Sequence, residues 1–216
     1  YLQTLFPFAF DLLHTSHLLD SSSLFLYMKE QLKAYFNRYA SFSDGEIEEL
    51  LKNFTLRAFN KKDILLNQGD VCLDRFFILE GLVRFYQVDD KGNERIDLFG
   101  VEYWWVTNLD SFINETPSRQ TIQALEKTKV LCINKTNLEE LYTSIPKLER
   151  AFRLITENML IAIQRKEEVY MRQTSKARYF NLVKQIPKLS QRVPQYMIAS
   201  YLNITPEYLS EIRKNP

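Results

Sequence analysis

Apolar positions recur along this chain in three successive rhythms. Between residues 28 and 58 they fall at helical spacing: Leu32, Tyr35, Phe36 and Tyr39, then Ile47, Leu50, Leu51 and Phe54. Ser43, with Glu46 three residues on, has the form of a capping box opening the second of these helices. From Phe59 to about Ile133 the runs shorten. Ile64-Leu65-Leu66, Phe76-Phe77-Ile78-Leu79, Val83 to Val88 and Arg95 to Phe99 are separated by Gln68-Gly69-Asp70, Glu80-Gly81, Asp89-Asp90-Lys91-Gly92-Asn93 and Gly100. Short runs broken by such turns predict an antiparallel β-sandwich or barrel, with later strands over Thr121–Leu125 and Lys129–Ile133. Four of the five glycines (Gly69, Gly81, Gly92 and Gly100) fall at these breaks, where a positive φ is expected.

Beyond Asn134 the helical rhythm returns. Thr136 is placed to cap a short helix carrying Leu138 and Leu141, and Pro146 to open a long one. Along the long helix Leu148, Phe152, Ile155, Met159 and Ala162 step by four, three, four and three, a heptad-like seam continued at Val169. Leu154, Leu160 and Ile161 mark a second face. A helix with two apolar faces has to bury both, one on its own domain and one on a partner chain. The expected dimer interface is Phe152, Ile155, Met159 and Ala162. After Gln173 a compact module follows: one helix with Ala177, Tyr179, Phe180, Leu182, Val183 and Ile186, stopped at Pro187, then a final pair.

That final pair, Gln195 to Lys214, has the spacing of a helix-turn-helix. Ile198, Ala199 and Leu202 form the inner face of a first helix, and the small Ala199 lets a second helix cross closely. Asn203 suits the left-handed conformation that ends a helix, Ile204 plugs the turn, and Thr205 with Pro206 forms the cap and first position of the next. Leu209 and Ile212 face inward. Gln195, Thr205, Glu207, Tyr208, Ser210, Arg213 and Lys214 are the candidate DNA contacts: Glu207 toward a cytosine amine, the hydroxyls and cations toward phosphate.

Charge sharpens this reading. The chain of 216 residues carries a formal net charge of +1, but from Arg165 onward ten basic residues stand against four acidic ones, so the body before them is net acidic. A basic module on an acidic body is the footprint of a polyanion binder. Apolar residues make up 45% and charged residues 25%, as in ordinary globular proteins. No uncharged apolar run is long enough for a membrane span. Cys72 and Cys132 lie far apart in apolar stretches and read as buried free thiols of a cytoplasmic protein. Residues 1–27 form an atypical leader: Leu5 to Phe10 is apolar but no basic region precedes it, and Met28 is the expected natural start. His14 and His17 lie in that leader and lack a third ligand, so no metal site is expected.

The chain resembles the Crp/Fnr transcription regulators. The likeness spans roughly residues 28–216 and is carried by Leu66-Asn67-Gln68-Gly69-Asp70, Phe76 to Gly81, and Ile204 to Arg213. It implies a homodimer on a palindromic promoter site, with an N-terminal sensor controlling the DNA-binding heads, RNA polymerase as a further partner and a small-molecule effector. Relatives that bind cyclic AMP hold its phosphate with a Gly-Glu pair and an Arg-Ser/Thr pair. Here Glu102 is displaced by one residue and Ser118 stands where that arginine would be, with Arg119 one step away and so on the opposite face of a strand. Two cysteines cannot hold an iron–sulfur cluster of four thiolates. No cofactor is expected. Cyclic-AMP-responsive relatives also carry arginine near Pro206 and Glu211, so sequence readout is expected to differ.

The sequence thus predicts an α+β protein. A leader (1–27) precedes an N-terminal antiparallel, jelly-roll-like β-roll flanked by helices (28–145); a dimerisation helix (146–172) leads to a C-terminal helix-turn-helix domain (173–216) expected to stop short of a β wing. Its effector pocket is expected at Glu102, Trp104, Ser118 and Arg119. The alternatives are a cyclic-nucleotide sensor in which Arg119 takes the phosphate, and an enzyme using the barrel. Against the enzyme, no nucleophile–base pair or phosphate-cradling glycine loop is found.

Overall fold

A computed structural model of the protein describes residues 21–214. Residues 1–20, with His14 and His17, lie outside the described residues, as do 215 and 216. Among the described residues the first helix, α1 (Ser21–Phe36), runs without interruption across Met28. Next comes α2 (Asp44–Lys52), opened by the full capping box: the Ser43 side chain accepts from Glu46 N, and the Glu46 carboxylate accepts from Ser43 N at 2.7 Å.

Eight strands follow: β1 (Thr55–Phe59), β2 (Ile64–Leu66), β3 (Asp74–Glu80), β4 (Val83–Val88), β5 (Glu94–Gly100), β6 (Trp105–Val106), then β7 (Thr121–Ala124) and β8 (Thr128–Asn134) after the short helix α3 (Leu109–Asn114). They form two four-stranded antiparallel sheets, ordered β1-β8-β3-β6 and β2-β7-β4-β5. Chain neighbours β2 and β3 lie in different sheets, so the chain rolls back and forth between the two layers. In β3, Phe76, Phe77, Ile78 and Leu79 are all buried, because one face meets the opposite sheet and the other is covered by helices. The ring of Tyr35 on α1 lies 5.0 Å from that of Phe77. The α+β roll expected from the sequence is therefore the observed fold.

Three local expectations are corrected. Residues 55–58 are the edge strand β1, not helix; α2 ends at Lys52 with Asn53 donating back to Leu50 O. Gly100 ends β5 without a positive φ. It is needed for proximity instead: a Cβ there would stand 2.7 Å from Val106 Cγ1 and 2.9 Å from Val83 Cγ2. Asn134, not Thr136, caps the next helix, its side chain accepting from Asn137 N at 2.8 Å.

That helix is α4 (Lys135–Ser144), and α5 (Lys147–Arg172) follows directly behind Pro146. The start of α5 belongs to the core of the roll: Leu148, Ala151 and Phe152 are buried. Its far half is not. Met159, Leu160, Ile161 and Ile163 are each 40–54% exposed. The C-terminal module comprises α6 (Ser175–Gln185), capped by Thr174; the one-turn α7 (Leu189–Arg192); α8 (Gln195–Leu202); and α9 (Pro206–Lys214). Tyr179, Leu182, Ile186, Leu189 and Val193 form its core with α8 and α9. No helix among the described residues is long and apolar enough to cross a membrane.

Candidate nucleic-acid interface and effector region

The α8–α9 pair is built as its residue order dictates. Asn203 adopts φ 53°, ψ 51° at the end of α8, a conformation that asparagine tolerates better than most residues. The Ile204 N–H donates to Ala199 O at 3.0 Å and closes the turn. Thr205 Oγ1 then accepts from Tyr208 N at 3.2 Å and caps α9. Ala199 and Leu209 are fully buried and Ile198, Leu202 and Ile212 nearly so, which fixes α9 across α8 from behind.

The opposite side of α9 faces solvent. Thr205, Glu207, Tyr208, Arg213 and Lys214 are exposed, Tyr208 at 45%. Ser210 is half-buried, sitting between the outer face and the core. Gln195, also half-buried, joins the two helices: its Nε2 donates to Pro206 O at 3.2 Å, and its Oε1 accepts from Arg213 Nη1 at 3.3 Å. Six of the seven candidate DNA contacts are therefore brought to one end and one outer surface of the pair. Ser210 is only partly presented.

Each residue of the expected effector quartet is engaged elsewhere, buried or turned to solvent. Glu102 is 4% exposed and accepts from Gly81 N at 3.2 Å and from the Arg192 guanidinium at 2.7 and 3.1 Å. It is spent on an ion pair with the C-terminal module. Trp104 is buried. Its neighbour Trp105 packs among Phe36, Phe54, Phe77 and Phe152 with centroids 4.9–6.1 Å apart, so the tryptophan pair is core. Ser118 is buried, its hydroxyl donating to Gln120 O at 2.8 Å and accepting from Gln120 N at 3.1 Å. Arg119 is exposed. The opposite placement of positions 118 and 119 holds, but in a bend before β7 rather than in a strand.

Between α3 and β7 lies a different polar cluster. Asn108 Nδ2 donates to Gln120 Oε1 at 3.1 Å, and Gln120 Nε2 and Gln87 Nε2 both donate to Asp97 Oδ2, at 2.8 and 2.7 Å.

The expected dimer seam divides in two. Phe152 is 3% exposed and meets Trp105, Phe36 and Tyr142 at 4.9, 5.8 and 6.0 Å, with the Arg75 guanidinium 5.1 Å from its ring. It is a core residue of its own chain and leaves almost no surface for a partner. Ile155 is half-buried against the same core. Met159 is exposed and Ala162 half-buried, farther along α5.

Sequence reasoning missed Arg192 and Glu126. Arg192 grips Glu102 from 90 residues away and also pairs with Glu126, Nη2 to Oε1 at 2.5 Å and Nε to Oε2 at 3.3 Å. In the sequence Arg192 is one basic residue among ten, and no local pattern marks its partners.

Residues 56–144, which span most of the roll, match the family described as "Cyclic nucleotide-binding domain". The fold as a whole is shared with solved structures of Crp/Fnr-type regulators. The c-di-GMP responsive global regulator CLP of Xanthomonas campestris aligns with a TM-score of 0.65 at 16% identity, over 80% of this chain and 90% of that one. A mutant of CooA from Carboxydothermus hydrogenoformans gives 0.61 at 18% identity, over 77% of each chain. The catabolite activator protein of Thermus thermophilus gives 0.54 at 16%, over 82% and 84%. No curated protein sequence matches the chain.

Proposed function

We propose that this protein is a homodimeric DNA-binding transcription regulator of the Crp/Fnr type, cytoplasmic and non-enzymatic, whose effector is not cyclic AMP. The observation that carries the reading is the α8–α9 pair: a helix anchored by Leu209 and Ile212, with Glu207, Tyr208, Arg213 and Lys214 turned outward in the basic part of the chain. A recognition helix in a major groove needs that division of faces, with cations at the rim for phosphate. The similar solved structures are regulators, which agrees. The exposed Met159 and Ile163, four residues apart, share one face of α5 and supply the surface for a second copy. RNA polymerase is the further partner expected of such a regulator.

Exclusion of cyclic AMP rests on the disposition of donors. Glu102 is committed to Arg192, the Ser118 hydroxyl to a backbone turn, and the Gln87 and Gln120 amides to Asp97. A buried phosphate without an arginine forfeits its charge-assisted pair. The alternative sensor, in which Arg119 takes the phosphate, would require that exposed side chain to turn inward. Mobility shift with random-sequence duplex across a salt series tests the main reading: binding with a steep negative salt slope supports it, and its absence refutes it. Calorimetry with cyclic AMP should give no heat; micromolar binding would restore the sensor alternative.

A further inference from the structure

One cation of the basic C-terminal module is gripped by two carboxylates of the acidic roll. Arg192, at the end of α7, presents its whole fork to two carboxylates: Nη1 and Nη2 to Glu102, Nη2 and Nε to Glu126. The Glu102 side chain is 5% exposed and that of Glu126 35%, so one partner is sealed in and the other is open to water. Two bidentate pairings on a single guanidinium are geometrically demanding, and a buried carboxylate stripped of its cation is strongly unfavourable.

We propose that Arg192, Glu102 and Glu126 form a latch that holds the helix-turn-helix module against the β-roll and withholds it from DNA. The inference rests on the DNA-binding reading of α8 and α9. A second contact shows that the docking is a fitted one. Strand β5 is one edge of its sheet, and Ser200 of α8 covers it: Ser200 Oγ accepts from Ile96 N at 3.1 Å and donates to Glu94 O at 3.4 Å. Beside it the Tyr201 ring lies 5.4 Å from Phe99, with the Lys166 ammonium 4.3 Å from its centroid.

The withholding follows from where Arg192 stands. It precedes α8 by three residues, and the first helix of a helix-turn-helix is the one that crosses the DNA backbone. A guanidinium at that point is suited to a phosphate, yet here it is saturated by carboxylates, and those carboxylates repel phosphate. DNA and the roll therefore compete for one cation. The sensor side of the latch is strained: Tyr103, next to Glu102, has φ 65°, a conformation costly for a bulky residue. Its N–H donates to Ile78 O at 2.7 Å. A signal that relaxes the Glu102–Tyr103 turn would move the carboxylate that grips Arg192.

The test uses the whole chain carrying Glu126→Gln, Glu102→Gln or Arg192→Gln, read by hydrogen exchange over α7–α9 and by mobility shift on a random-sequence duplex. Both glutamate variants should speed exchange in α7 and α8 and tighten DNA binding by about fivefold to tenfold. Arg192→Gln should loosen the module equally without that gain, since the cation itself is lost. Glu126 is partly exposed, so its variant should melt with the wild type and stands even if Glu102→Gln misfolds. Unchanged exchange in Glu126→Gln overturns the latch. A loosened module that binds duplex no more tightly than wild type overturns the withholding. Loosened exchange with no duplex bound by any form keeps the latch but refutes the DNA-binding reading.

Discussion

Lys147, the first residue of α5, donates to Glu46 of α2 across 2.8 Å, while Glu46 also closes its own helix's capping box. The hydrogen bond to Lys147, followed by those to Ser43, holds the Glu46 carboxyl down at about 2, against an ordinary 4.5. A carboxylate whose folded value is depressed stabilises the fold fully above its unfolded value and ceases to do so as pH falls through the folded one. Glu46 should therefore contribute to an acid limb of stability between about pH 4.5 and 2. Chemical denaturation at a series of pH values checks this. Glu46→Gln should lower stability at neutral pH and make the acid limb shallower; an unchanged limb would refute the assignment.

The divided seam of α5 separates folding from assembly. Phe152→Ala removes a ring enclosed by aromatic neighbours and should cost about 3–5 kcal/mol in stability. Met159→Lys with Ile163→Lys alters only exposed positions on one face. It should convert a dimer to a monomer in sedimentation while leaving the melting temperature of the roll nearly unchanged. Loss of folding in the lysine variant, or a stable dimer with it, would contradict this division.

Those two outcomes also mark what the sequence makes legible. Short-range rules located the capping box at Ser43, the turns at Gly69, Gly81 and Gly92, the αL end at Asn203 and the cap at Thr205, because each is decided within a few residues. Periodicity placed both Phe152 and Met159 on an apolar stripe, but could not say which neighbour each would meet. Edge strand β1 was hidden because its side chains are mostly exposed; its pairing is a backbone matter, with β8 at the other end of the domain. The Glu102–Arg192 pair was invisible for the same reason: its register is set by domain docking.

Gly81 should prove intolerant. It adopts φ 106° in the turn between β3 and β4, and a Cβ there would collide with Thr128 and stand 2.7 Å from Lys127 O. Both the conformation and the space exclude a side chain, and the obstacle includes backbone that cannot swing aside. Gly81→Ala should destabilise the roll by about 1–3 kcal/mol or more. Gly92→Ala, with nothing within 4 Å of the added carbon, should suffer only the conformational penalty of φ 82°. Equal losses in thermal melts would show that packing at Gly81 is unimportant.

On the DNA side, Arg213 and Thr205 should fail in different ways. Arg213 is exposed in the last turn of α9, its guanidinium donating to Gln195 at the rim, where a phosphate can be reached. Arg213→Ala should weaken binding of all duplex sequences alike and reduce the salt slope by about one. Thr205→Ala removes the acceptor for Tyr208 N and should cost about 1 kcal/mol of stability, fraying the start of α9. Its loss of DNA affinity should leave the salt slope nearly intact, because no charge is removed. If instead Thr205→Ala flattens the slope as Arg213→Ala does, the hydroxyl would be acting on phosphate, and its role as a cap would not account for the loss.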